Sequence, residues 1–125
     1  MPVQIKIVIA DVVLEAQLFD TECAKAIVQV LPIEARLHEW GDEFYFEIPV
    51  KMPPDETATI KVEVGDIGYW PPGRALAIFF GPTPMSRDQA PVPASEVNLV
   101  GKITDDAVLL RKTKGAARIR IERAQ

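Results

Sequence analysis

Apolar and polar residues alternate from the start of the chain. Val3, Ile5, Ile7 and Ile9 fall on one side and Gln4, Lys6 and Val8 on the other, the period of two that marks a strand with one buried face. Val12 to Phe19 repeats the pattern, and Ala10-Asp11 supplies a tight reversal, so the two runs read as a hairpin. Helical spacing then takes over. Asp20 or Thr21 caps a helix with Glu22 in its first turn, Ala24, Ile27, Val28 and Leu31 line one face, and Pro32 ends it. Alternation returns from Ala35 to Trp40, with Leu37 inward and Arg36, His38 and Trp40 sharing the opposite side. Gly41-Asp42 turns the chain. Phe44, Phe46 and Ile48 then alternate with Glu43, Tyr45 and Glu47 in a further amphipathic strand. Pro49 to Glu56 reads as a proline-bearing loop and Thr57 to Val64 as a strand.

The stretch from Val62 to Pro84 holds both aromatic pairs, Tyr69-Trp70 and Phe79-Phe80. Gly65 admits backbone angles that other residues avoid, and a short strand runs from Ile67 to Trp70. Pro71-Pro72-Gly73 forces a turn, because proline fixes φ and glycine accepts positive φ. Ala75 to Phe80 is an unbroken apolar run, long enough for a strand buried on both faces and too short for a typical helix. Met85 to Glu96 is a long polar loop, of a length that is often functional or mobile. Val97 to Ile103 is a strand in which Gly101 marks a bulge or a close approach. Thr104 or Asp105 caps a short helix reaching Leu110 and Arg111, and Lys114-Gly115 ends it. Ala117 to Glu122 closes the chain with Ile119 and Ile121 inward and Arg118 and Arg120 outward. The result is mainly β, about eight strands with two short helices, arranged as a sandwich or a closed barrel.

Composition narrows the classes of function. A chain of 125 residues with 48% hydrophobic and 26% charged residues reads as a single globular domain over residues 1–125. Cys23 is the only cysteine, so no internal disulfide is possible, which fits a reducing compartment. No stretch reaches the roughly 20 apolar residues that span a bilayer, and Met1 to Asp11 lacks the pattern of a signal peptide. The expectation is therefore a cytoplasmic protein without a membrane partner. A net charge of −4 argues against nucleic acid. The cationic run Arg111, Lys112, Lys114, Arg118, Arg120 and Arg123 reads as a solvated strand face plus a helix end.

Candidate chemistry is sparse. Arg36, His38 and Trp40, on one strand face, suggest the floor of a surface groove, with Tyr69 and Trp70 as walls and Arg74 within reach of an anion. His38 is the only histidine, a weak basis for acid–base catalysis. Asp42 and Glu43 read as the residues that flank the Gly41 turn rather than as metal ligands, and no metal or cofactor is expected. Nucleophile triads, phosphate-cradling loops and dinucleotide fingerprints are absent from the sequence.

Leu99-Val100-Gly101-Lys102-Ile103-Thr104-Asp105-Asp106-Ala107-Val108-Leu109-Leu110 resembles the cyclophilin strand that leads into a short helix. Lys112 to Gly115 and the alternating isoleucines of Arg118 to Glu122 follow as they do in that family. The chain is similar over nearly its whole length to a small family of uncharacterised prokaryotic proteins with this fold. Trp40-Gly41-Asp42-Glu43-x-Tyr45-Phe46 carries that resemblance. So does Gly65-Asp66-Ile67-x-Tyr69-Trp70-Pro71-Pro72-Gly73 followed by Phe79-Phe80-Gly81-Pro82-Thr83-Pro84. The resemblance implies a closed cyclophilin-like β-barrel. In cyclophilins an arginine stabilises the twisted amide of an X-Pro bond beside an apolar pocket. Arg36 stands in roughly that place, and Phe79 and Phe80 match the family's phenylalanines, but the flanking Phe-His and the glutamine are missing. The leading expectation is a binding module for a small molecule or an extended peptide, lined by Arg36, His38, Trp40, Tyr69, Trp70 and Arg74. A prolyl isomerase using Arg36 with Phe79 is the alternative. The resemblance further admits a subunit of a larger amide-hydrolysing enzyme.

Overall fold

The structure, a computed structural model, describes residues 1–124. The first hairpin forms as its alternation demands. Strand β1 (Val3–Ile9) pairs antiparallel with β2 (Val12–Leu18), Ile9 opposite Val12, and Ala10 makes the reversal with φ 53°. Helix α1 (Glu22–Gln29) follows. Thr21 caps it, its hydroxyl accepting from the Ala24 N–H at 3.1 Å, and its buried face is Cys23, Ala24, Ile27 and Val28. The remaining strands are β3 (Ile33–Arg36), β4 (His38–Glu39), β5 (Glu43–Glu47), β6 (Asp66–Trp70), β7 (Ala75–Phe79), β8 (Asn98–Ile103) and β9 (Arg118–Arg123). They form one nine-stranded sheet in the order β3-β9-β1-β2-β8-β6-β7-β5-β4.

Closure follows from that order. The strands at the two ends of the sheet, β3 and β4, are consecutive in the chain with Leu37 between them, so the sheet curls into a nearly closed barrel and leaves little exposed edge. The first and last long strands zip together, with Ile7 opposite Ile121. Inside, Ile5, Ile7, Leu14, Leu18, Phe44, Phe46, Ile67, Tyr69, Ile78, Phe80, Ile119 and Ile121 form the core. Each such side chain removed from water contributes about 1.5–3 kcal/mol. The cyclophilin-like barrel is thus the architecture.

Four local expectations need correction. The run from Ala35 to Trp40 is not one strand. It changes partner at Leu37, because β3 lies on β9 while β4 lies on β5. Thr57 to Val64 makes a single bridge, Thr59 with Val97. There the Asp55 carboxylate accepts from the Thr57 N–H at 2.8 Å, and the Thr57 hydroxyl accepts from the Leu99 N–H at 2.9 Å. These side-chain bonds replace a ladder. The second helix is a 3-10 helix, Ala107–Thr113, capped by Asp106, because Asp105 accepts instead from the Glu15 N–H at 2.7 Å. At the Pro-Pro-Gly turn the left-handed residue is Arg74, φ 48°. Gly73 serves space: a Cβ there would lie 2.6 Å from the Trp70 ring. Gly101 does make a close approach, since a Cβ would collide with the Gln17 carbonyl oxygen, and the β6–β8 register shifts beside it.

Candidate functional site

Strand β7 is buried on both faces. Its inner side, Leu76 and Ile78, joins the barrel core, while Ala77 and Phe79 join a second apolar cluster on the outer wall with Val62 and Val97, flanked by Tyr45, Trp70 and Leu99. Two loops pack on the sheet. The first, residues 50–55, lies against the barrel core rather than this wall and is pinned by buried polar side chains. The Tyr69 hydroxyl donates to the Val50 carbonyl at 2.6 Å and accepts from the Met52 N–H at 3.2 Å. The Asn98 amide donates to the Pro53 carbonyl at 3.0 Å and accepts from the Asp55 N–H at 2.9 Å. The second loop holds its own shape. Ser86 Oγ accepts from the Thr83 N–H at 2.9 Å and donates to the Ala90 carbonyl at 2.7 Å.

Between this second loop and the sheet lies a groove of about 230 Å³, lined by Trp40, Glu43, Tyr45, Trp70, Ala77, Pro93, Ala94 and Val97. Each aromatic ring has a structural reason to be there. The Trp70 indole rests over Gly73, and its Nε1 donates to Ser95 Oγ at 2.6 Å. Trp40 closes the β4–β5 turn, its backbone N–H donating to the backbone carbonyl of Glu43 at 2.9 Å. Tyr45 stacks on His38, its cross-strand partner, with ring centroids 5.1 Å apart. The turn itself is locked to the second loop. Gly41 has φ 63° and packs against Thr83 and Pro84, and the Asp42 N–H donates to the Pro82 carbonyl at 2.9 Å. The Asp42 carboxylate holds Arg111 at 3.0 Å and Lys114 at 2.7 Å, tying the turn to the 3-10 helix.

Glu43 is the unusual member. It sits on β5 opposite Phe79 and is only 7% exposed. Among the described residues no hydrogen-bond donor reaches its Oε1. Burial pushes its carboxyl up to about 7, because an apolar surround penalises the ionised form.

A second depression, about 450 Å³, lies across the outer wall and is lined by Glu34, Ala35, Arg36, His38, Glu47, Ile48, Pro49 and Arg118. Its charges are mixed and its edges wet. The stacked pair of His38 and Tyr45 links the two hollows, one ring in the lining of each.

The six residues expected to line one groove are therefore divided. Trp40 and Trp70 line the apolar groove, and Arg36 and His38 line the charged depression. Tyr69 is fully buried and faces the barrel interior, so it walls neither. Arg74 is exposed at the turn and lines neither hollow. The split falls between His38 and Trp40, where β4 ends at Glu39 and the chain enters the turn to β5. Phe79 is fully buried beneath the apolar groove, and neither hollow brings it together with Arg36. Glu43 and Tyr45 were the residues missed. The signal for them was the unbroken apolar run of β7: a strand buried on both faces needs a cover, and that cover must extend over its neighbour β5. Among the described residues no group of three or more His, Cys, Asp or Glu side chains is placed to hold a metal ion. No helix among them is long and apolar enough to cross a membrane.

Comparison with known proteins agrees with this architecture. The model of the family described as cyclophilin-like matches residues 3–122. The solution structure of a hypothetical protein from Archaeoglobus fulgidus is similar to this chain with a TM-score of 0.81 and 34% sequence identity, over 98% of this chain and 95% of that one. No curated protein matches the sequence.

Proposed function

The chain belongs to the cyclophilin-like family, and from that premise we propose that it is a binding module whose apolar groove on the outer wall holds a small ligand or a single side chain of an extended peptide. The supporting observation is the groove's construction. A dedicated second apolar cluster underlies it, three aromatic residues flank it, and one buried carboxylate reaches it without a partner. Concave apolar surface with few polar groups is the usual make-up of a binding pocket. The volume of about 230 Å³ is below the range of roughly 300–1,000 Å³ that accepts drug-sized molecules, which favours an occupant of a few heavy atoms. The isomerase reading is not favoured, since Arg36 and Phe79 share no pocket.

A fragment screen by ligand-observed NMR tests the reading. Fragments should bind the wild type and be lost in Ala94→Trp, which fills the groove from an exposed loop position without touching the core. Failure of all fragments, or binding indifferent to Ala94→Trp in a variant with unchanged circular dichroism, would overturn it.

A further inference from the structure

We propose that the occupant of the groove is a small organic cation, an alkylated ammonium group seated among Trp40, Tyr45 and Trp70 with Glu43 as its counter-charge. This rests on the groove being a binding site and names the chemistry it selects. Three aromatic side chains from three different elements, the β4–β5 turn, β5 and the end of β6, converge on one hollow. The faces of such rings carry negative potential and attract cations, most strongly where water is excluded. Glu43 adds a buried acceptor whose Oε1 no donor in the described residues satisfies. A buried polar atom left without a partner is costly, and no donor in the lining relieves it. Lysine, arginine and histidine are absent from the lining, and the Trp70 N–H is already engaged by Ser95. A ligand can supply what is missing only by bringing a positive charge or a donor.

Alkylation follows from the rest of the lining. A primary ammonium group carries three N–H donors and needs three acceptors. The groove presents one carboxylate beside Ala77, Pro93, Ala94 and Val97. Methyl groups in place of N–H bonds would pack on those side chains and on the rings. Tyr45 is the other titratable residue in the lining, so Glu43 is the group that supplies negative charge. The net charge of −4 favours approach of a cation over an anion.

The protein carries two tryptophans and both line the groove, so intrinsic fluorescence reports occupancy. Titration with choline and with tetramethylammonium at constant ionic strength should give a saturable change. The neutral isostere 3,3-dimethyl-1-butanol should bind about tenfold more weakly, and Glu43→Gln should reduce choline affinity by a similar factor while the circular dichroism stays the same. Trp40→Leu should do likewise, read from the remaining tryptophan. Equal binding of the neutral isostere, or an unchanged affinity in both variants, would overturn the cation while leaving the groove reading intact. Absence of any saturable response to choline, with fragments still lost in Ala94→Trp, would also overturn the cation and spare the groove. If no fragment binds either, the groove reading itself fails. A trimethyllysine peptide binding more tightly than choline would replace the small molecule with a protein partner.

Discussion

The two hollows on the outer wall are built from opposite materials. One has an apolar floor that is itself a second core, and its carboxylate is buried and unpartnered. The other is lined by Glu34, Arg36, His38, Glu47 and Arg118, all exposed at its surface. Charge in the second hollow is hydrated and screened, so it contributes little to stability and selects weakly. Charge in the first is neither. The residues that catch the eye in the sequence, an arginine and the lone histidine, belong to the weakly selecting hollow, while the chemistry with consequences sits in a glutamate that looks like a turn residue. Substitutions in the two hollows should therefore behave very differently.

The largest contrast concerns the floor. Phe79 is fully buried on the outer wall between Val62, Ala77 and Val97. Phe79→Ala should cost about 3–5 kcal/mol in urea denaturation, as much as a deletion in the barrel interior. A loss below about 1 kcal/mol would mean the outer cluster is not a core, and the distinction between the hollows would disappear.

Glu43 gives the next effect, and its sign is set by its surroundings. Its carboxyl is raised from 4.5 to about 7 by burial. Between those values the native state binds the proton more tightly than the unfolded chain. Stability contributed by this group is therefore complete below about 4.5, falls as pH rises toward 7, and is level above. The span corresponds to roughly 3 kcal/mol. Glu43→Gln removes the ionisation, so the difference between variant and wild type isolates it from other groups, Asp66 included, whose carboxyl burial also raises. The variant should be more stable than wild type at pH 8 by an amount near that span, with the advantage shrinking toward pH 4.5. A flat difference across this range would show Glu43 to be hydrated, and the two hollows to be alike.

Tyr69 sharpens the comparison from the other side. Its hydroxyl fastens Val50 and Met52, which follow Ile48 and Pro49 at the edge of the charged depression. Tyr69→Phe leaves the Val50 carbonyl and the Met52 N–H without that partner, at about 1–3 kcal/mol. Hydrogen exchange at Met52 should quicken, whereas choline-induced fluorescence should not change. A lost response in the groove would mean that this loop shapes both hollows.

Much of the fold was legible because period-two alternation reports directly which face of a strand meets the core. Val3 to Ile9, Phe44 to Ile48 and Arg118 to Glu122 all obey it, and the Thr21 cap and the tight turn at Ala10 are local events with local signals. The candidate site was less legible, for a physical reason. Alternation at Glu43, Tyr45 and Glu47 says that the other face is inside. It is silent on whether this face is wet. Pro93 and Ala94, which line the same groove as Glu43, come from a loop far along the chain. The grouping of Arg36, His38 and Trp40 failed similarly. Same-side placement within a run holds only while the strand continues, and β4 ends at Glu39, so Trp40 parts from Arg36 and His38. Thr57 to Val64 misled because Asp55 and Thr57 direct their side chains to backbone N–H groups.

The smallest effect expected is at Arg36, and its smallness is what separates the two hollows. Arg36 is exposed and stands opposite Arg118 in the β3–β9 register, a pairing of like charges that removal relieves rather than harms. Arg36→Ala should change stability by no more than about 0.5 kcal/mol and leave choline affinity in the groove as it was. His38 is the nearest route by which an effect could travel, since its ring stacks on Tyr45. His38→Ala is therefore the companion measurement: a modest weakening there with none at Arg36 places the boundary between the hollows at the stacked pair. Should Arg36→Ala weaken the groove as strongly as Glu43→Gln, the wall between the two does not hold, and the arginine and the glutamate belong to one site.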